Sequence, residues 1–161
     1  MTRSSSSRPE TAAEETACRR QALNALARRE HSRLELERKL DARGYATQVI
    51  AATLDALESS GLIDVERFCD SFVRSRKSRG QGPARIEREL TERGIDSAAA
   101  TLALSQCEDW NALARNVRQR KFGERIPREY KERAKQMRFL QYRGFSHEQI
   151  RAALEPDPDS E

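Results

Sequence analysis

Apolar positions return along this chain in a fixed frame of fifty residues. Leu40-Asp41-Ala42-Arg43-Gly44-Tyr45 recurs as Leu90-Thr91-Glu92-Arg93-Gly94-Ile95 and again as Leu140-Gln141-Tyr142-Arg143-Gly144-Phe145. Downstream, Ile50, Ala100 and Ile150 keep the register, as do Leu54, Leu104 and Leu154. The signature reads as a helix end. The Leu packs, the Arg lies near the negative end of the helix dipole, and the Gly adopts the left-handed conformation that closes the helix. The apolar residue after Gly then folds back onto the core. No GxGxxG or GK[ST] context surrounds these glycines, so they are punctuation and not a phosphate loop.

Helical periodicity fills in three helices per repeat. In the first, Cys18, Ala22, Leu23 and Leu26 form a stripe, Ser32 and Glu35 make a capping box, and Leu36 and Leu40 face inward. Ile50, Leu54 and Leu57 mark a third helix that stops at Gly61. In the second repeat, Asp64 caps a helix bearing Phe68, Phe72 and Val73, with Ile63 stapled onto Phe68. The run Arg79-Gly80-Gln81-Gly82-Pro83 breaks that helix, and Pro83 starts the next, which carries Ile86 and Leu90. Asp96 caps an alanine-rich helix with Ala100, Ala103 and Leu104. In the third repeat, Trp110, Leu113, Ala114 and Val117 form the first stripe. Pro127 is expected to open a helix burying Tyr130, Ala134, Met137 and Leu140, and Ser146 with Gln149 caps the last one, which ends at Glu155-Pro156.

The expected architecture is therefore all-α: three tandem three-helix repeats forming an elongated, curved helical-repeat protein, since each repeat contacts chiefly its neighbours. Residues 1–13 are expected as a disordered tail, 14–61, 62–107 and 108–155 as the three repeats, and 156–161 as an acidic tail.

Composition supports this reading: 35% of the residues are charged and only 6% aromatic, a balance suited to helices with one buried stripe and one solvated face. The net charge of +4 conceals an uneven distribution. Trp110–Phe145 carries eleven Lys/Arg against three Glu, a net of +8, and Arg74–Arg93 carries seven against three, a net of +4. The remainder is acidic. Basic blocks of this kind suit nucleic acid or an acidic protein surface, although solvated helix faces produce the same pattern. Three cysteines without a CxxC pair point to reduced core thiols in a cytoplasmic protein. No run reaches the length of a membrane span, and the first residues have no apolar segment of a signal peptide.

Several motifs together resemble the RecX family. They are Leu26-Ala27-Arg28-Arg29-Glu30-His31-Ser32 through Glu35-Leu36, Gly61-Leu62-Ile63-Asp64-Val65-Glu66-Arg67-Phe68, Gly82-Pro83 with Ile86, Glu89-Leu90 and Arg93-Gly94-Ile95, and Arg143-Gly144-Phe145-Ser146 with Ile150. The resemblance spans Ala22 to Leu154, with departures in the Ser-rich head and the thin Ala98–Ala103 helix. It implies a protein of tandem three-helix repeats lying in the groove of the RecA filament on DNA. In that role it would lower RecA's ATP hydrolysis, strand exchange and coprotease activity, in recombination and the SOS response.

The expected partner is thus the RecA filament, with single- or double-stranded DNA as a second candidate, no membrane, and a monomer as the default state. Candidate contact residues are the basic ones on presumed exposed faces: Arg74, Arg76, Lys77, Arg79, Arg115, Arg118, Arg120, Lys121 and Arg125. The rival reading from the same residues is a nucleic-acid-binding module that needs no RecA. An enzyme is not expected, because no Ser/His/Asp or Cys/His set, phosphate loop or framed pair of carboxylates is present. No cofactor or metal is expected either. His31 and His147 fall next to caps and are expected to be exposed, and Trp110 is expected to anchor the core.

Overall fold

A computed structural model describes residues 7–156. Nine helices are present among them: α1 (Ser7–Arg28), α2 (Arg33–Ala42), α3 (Thr47–Ser59), α4 (Val65–Ser78), α5 (Pro83–Glu92), α6 (Ser97–Ser105), α7 (Trp110–Phe122), α8 (Tyr130–Tyr142) and α9 (His147–Ala153). The described residues contain no strand. Residues up to Phe68 and Arg93–Ile95 form one compact unit, while Cys69–Glu92 and the chain from Asp96 onward form a second.

The first unit is built around Cys18, Ala22, Leu36, Leu40, Val49, Ile50, Leu54, Leu57 and Ile63. Apart from Ile63, which follows α3, these are the positions that a 3.6-residue period places on the inner faces of α1, α2 and α3. Ser32 and Glu35 form the expected capping box, and Asp64 accepts from the Arg67 N–H at 2.8 Å to start α4. Ala46 at the start of α3 has no side-chain acceptor of its own. Glu14 on α1 instead accepts the N–H of Ala46 itself at 2.8 Å.

Helix α1 starts at Ser7, ahead of the expected start at Glu14. Residues 7–13 are thus helical where a disordered tail was expected. Arg8, Glu10, Ala12 and Ala13 in this segment favour helix, and Pro9 falls in the first turn, where its missing N–H costs no bond. The tail expected over residues 1–6 and 157–161 lies outside the described residues.

The second unit has a core of Ala114, Val117, Leu140, Phe145, Ile150, Ala153 and Leu154, with Ile86, Leu90, Ala100 and Ala103 also buried. Trp110 is 9% exposed, as expected of an anchor, and its indole N–H donates to the Leu104 carbonyl at 3.4 Å. Asp96 and Ser146 cap α6 and α9 as the sequence predicts, the latter with Gln149 in a second capping box.

All three repeat glycines have positive φ: +86° at Gly44, +79° at Gly94 and +95° at Gly144. At Gly44 and Gly144 the two bonds of the Schellman motif are in place. Tyr45 and Phe145 donate to Leu40 and Leu140, and Gly44 and Gly144 donate to Asp41 and Gln141.

The same signature makes a second contact, again spaced by fifty residues. Within the first unit, Ser32 Oγ donates to the Arg93 carbonyl at 2.8 Å, and a Cβ on Gly94 would stand 2.9 Å from that of Leu34. Within the second unit, the Gly82 N–H donates to the Arg143 carbonyl at 2.7 Å and the Ala84 N–H to the Gly144 carbonyl at 3.0 Å. Positions 32 and 34 thus meet 93 and 94 as positions 82 and 84 meet 143 and 144. The start of one repeat's second helix docks on the end of the next repeat's second helix.

His31, expected to be exposed, is 1% exposed beside the first of these joints. Its Nδ1 lies 3.0 Å from the Arg29 carbonyl, which can only accept, so Nδ1 carries the proton. Nε2 then accepts from Lys39 Nζ at 3.2 Å. With both ring nitrogens bonded, burial is tolerated, and desolvation holds the ring below the ordinary histidine pKa. His147 is exposed, as expected.

Helix α8 also departs from expectation. It starts at Tyr130 and not at Pro127, and Tyr130 and Met137 are 86% and 43% exposed. Leu140 is buried as expected, but it is Gln136 that joins it on the buried side of the helix. Two arginines bind the preceding segment, an irregular stretch with bends at Glu124, Arg125 and Glu129. Arg118 donates to the carbonyls of Glu124 and Arg125, and Arg133 donates to that of Pro127. Carbonyls engaged by side chains leave this stretch no reason to become helical.

Candidate partner-binding surface

The nine basic residues singled out by sequence all belong to the second unit, but the fold gives them different roles. Arg74 is exposed on α4. It lines a depression of about 370 Å³ together with Asp70, Val73, Lys77, Ala103 and Gln106. Lys77 is paired with Asp109 at 2.5 Å and stands 5.0 Å from the Trp110 ring centre. The hydrogen bond from Lys77 holds the Asp109 carboxyl below the usual range. Arg76 meets Glu89 at 2.8 Å and lies 4.2 Å over the Phe72 ring. Both cations therefore hold the fold together at this end of α4. Arg79 is exposed, and its carbonyl accepts from Arg143 Nη1 at 3.0 Å.

On α7, Arg115 is half-buried and donates to the Ala152 carbonyl at 3.2 Å, closing the end of α9. Arg118 requires a correction. At 1% exposure it is among the most buried side chains of the protein and is not available to a partner. Its Nη1 donates to Gln136 Oε1 at 3.3 Å as well as to the Arg125 carbonyl, and its Nη2 to the Glu124 carbonyl at 3.0 Å. Burial, with the charge of Arg115 as a smaller cause, lowers its pKa. Arg120, Lys121 and Arg125 remain exposed.

Sequence reasoning missed a further row. Arg128, Lys131, Lys135, Arg138 and Tyr142 are spaced by three, four, three and four residues, and all five are exposed. This spacing puts Lys131, Lys135, Arg138 and Tyr142 on one face of α8, while Arg128 precedes the helix. None of the four cations forms an ion pair among the described residues. Beside the row, Phe122 and Phe139 meet edge to face at 5.2 Å, with Lys135 5.9 Å from Phe122 and Lys121 and Arg143 at 5.8 and 5.2 Å from Phe139. Cations held over ring faces are positioned without being neutralised. The signal was available in the three-four alternation of basic residues, but it was obscured by placing Tyr130 and Met137 on the buried side.

The described residues hold no candidate metal centre. No group of three or more His, Cys, Asp or Glu could hold an ion, and Cys18 and Cys69 are buried thiols. Burial, with Asp70 and Asp96 nearby, pushes Cys69 up to about 11. No described helix is long and apolar enough to cross a membrane.

Three-helix modules with a repeated joint define the class of the fold, a helical-repeat protein. Residues 18–57, 66–104 and 108–154 match, in order, the family descriptions RecX first, second and third three-helix domain. The chain belongs to the RecX family. A Pseudomonas fluorescens protein named Regulatory protein RecX is 48% identical over 139 residues, covering 86% of this chain and 90% of the relative. A Halorhodospira halophila protein of the same name is 47% identical over 145 residues, covering 89% and 90%. The fold is similar to the crystal structure of RecX from Lactobacillus salivarius, with a TM-score of 0.75, 23% identity and coverage of 89% of this chain and 96% of that one.

Proposed function

We propose that this protein binds the RecA filament on DNA and lowers RecA's ATP hydrolysis, strand exchange and coprotease activity. The observation that carries this reading is the match to all three RecX modules in order along one chain. The functional modules are taken as residues 14–61, 62–107 and 108–155. A chain of linked modules suits a repeating target, because the first contact raises the effective concentration for the next and several weak contacts become one firm attachment. Inhibition follows when the protein binds one state of the filament better than another.

The exposed cations Arg74, Arg79, Arg120, Lys121 and Arg125 are the contact residues in this account. Arg76, Lys77, Arg115 and Arg118 act by holding the scaffold. Co-sedimentation with RecA assembled on single-stranded DNA tests the reading. Wild type should pellet with the filament, and R120Q/K121Q/R125Q should pellet less while remaining folded. A wild-type chain that stays in the supernatant at all ratios would refute it.

A further inference from the structure

We propose that the exposed face of α8 is a binding site for single-stranded nucleic acid, with Lys131, Lys135 and Arg138 on the phosphates and Tyr142 stacking on a base. This goes beyond the RecA reading and does not depend on it. Three observations carry it.

The first is the contrast between the two basic regions of the second unit. The cations at the end of α4 are mixed with acids: Arg76 is paired with Glu89, Lys77 with Asp109, and Asp70 lines the same depression as Arg74. A surface of mixed sign suits a protein. Among the described residues the α8 row has no such ion pair, and the helix's acidic residue Glu132 accepts from Gln136 Nε2 at 3.3 Å. An uninterrupted line of one sign is matched by a polyanion.

The second is the ring at the end of the row. Tyr142 is 78% exposed, with the Arg85 guanidinium carbon 5.7 Å from the ring centre. An aromatic face beside cations is the pairing that unstacked bases use, and a base inside a duplex could not reach it. The third is reach. Lys131 to Tyr142 spans about 16 Å at the helical rise, long enough to follow a short stretch of extended strand.

Binding of a fluorescein-labelled oligothymidylate of about 20 nucleotides, read by anisotropy with the whole chain and no RecA, tests the assignment. Wild type should bind at low salt. K131Q/K135Q/R138Q should bind at least tenfold more weakly, and the slope of log K against log salt should fall by about 2, since each strand phosphate contact contributes about 0.7. Y142A should lose about tenfold with its salt slope unchanged, and Y142F should retain binding. Circular dichroism should show all variants folded, because the side chains are exposed.

No binding by wild type, or a triple variant that binds as wild type does, would overturn the proposal. So would preferential binding of a polyglutamate peptide that the same substitutions abolish, which would make the face a protein site. Running these proteins in the RecA co-sedimentation separates the two readings. A chain that pellets with filaments but ignores the oligonucleotide leaves the RecA reading intact, and one that binds the oligonucleotide but not the filament leaves this one.

Discussion

Gly82 donates its N–H to the carbonyl of Arg143 at 2.7 Å, and the two segments lie so close that a Cβ on Gly82 would stand 2.5 Å from the Gly144 carbonyl carbon. A Cβ on Gly144 would in turn stand 2.4 Å from that of Arg85. Gly144→Ala should therefore cost about 3 kcal/mol or more, from the left-handed φ and from a clash that backbone must absorb. Gly44→Ala, with equally positive φ but nothing within 4 Å, should cost only about 1 kcal/mol. Urea denaturation of the two variants measures the difference.

Arg118 is a buried cation that donates to two backbone carbonyls and to the Gln136 amide oxygen. Arg118→Ala should destabilise the protein by on the order of 3 kcal/mol, because buried acceptors lose their donor. It should also speed amide hydrogen exchange across residues 123–129. Unchanged exchange there would show that the guanidinium does not hold the segment.

His31 links stability to pH. Its pKa is lowered in the folded state, so the unfolded chain takes up a proton first as the pH falls. The stabilisation is full above the unfolded value of about 6.5 and is lost as the pH falls through the lower folded value. Protonation would also end acceptance from Lys39 and add a third positive charge to those of Lys39 and Arg29, with Glu35 in opposition. Denaturation midpoints should drop between pH 7 and pH 5.5, as the linkage requires, and His31→Asn should flatten that dependence.

Thiol reactivity should divide the three cysteines. Cys18 and Cys69 are buried and Cys107 is part-exposed beside the depression on α4. Ellman's reagent should modify one thiol in the native protein and the other two only after unfolding.

Helix ends were the most legible feature of the sequence, because capping and the Gly turn act within a few residues. Ser32 with Glu35, Asp96, Ser146 with Gln149 and the three Arg-Gly pairs all do locally what their types require. The joint between repeats was not legible. It is made by carbonyls of Arg93 and Arg143, and a carbonyl's partner leaves no mark on residue identity. Arg118 misled because arginine reads as surface charge, whereas here its fork of donors replaces helix in the following segment. That substitution moved the start of α8, reversed the sides assigned to Tyr130 and Met137, and hid the row at Lys131, Lys135 and Arg138.

The central claim is tested most directly by RecA's ATPase on single-stranded DNA with this protein added below RecA's concentration. The account predicts inhibition at ratios well under one to one, reduced by R120Q/K121Q/R125Q and by Gly144→Ala wherever the latter unfolds the second unit. ATPase unaffected by the folded wild-type chain at equimolar concentration would contradict it.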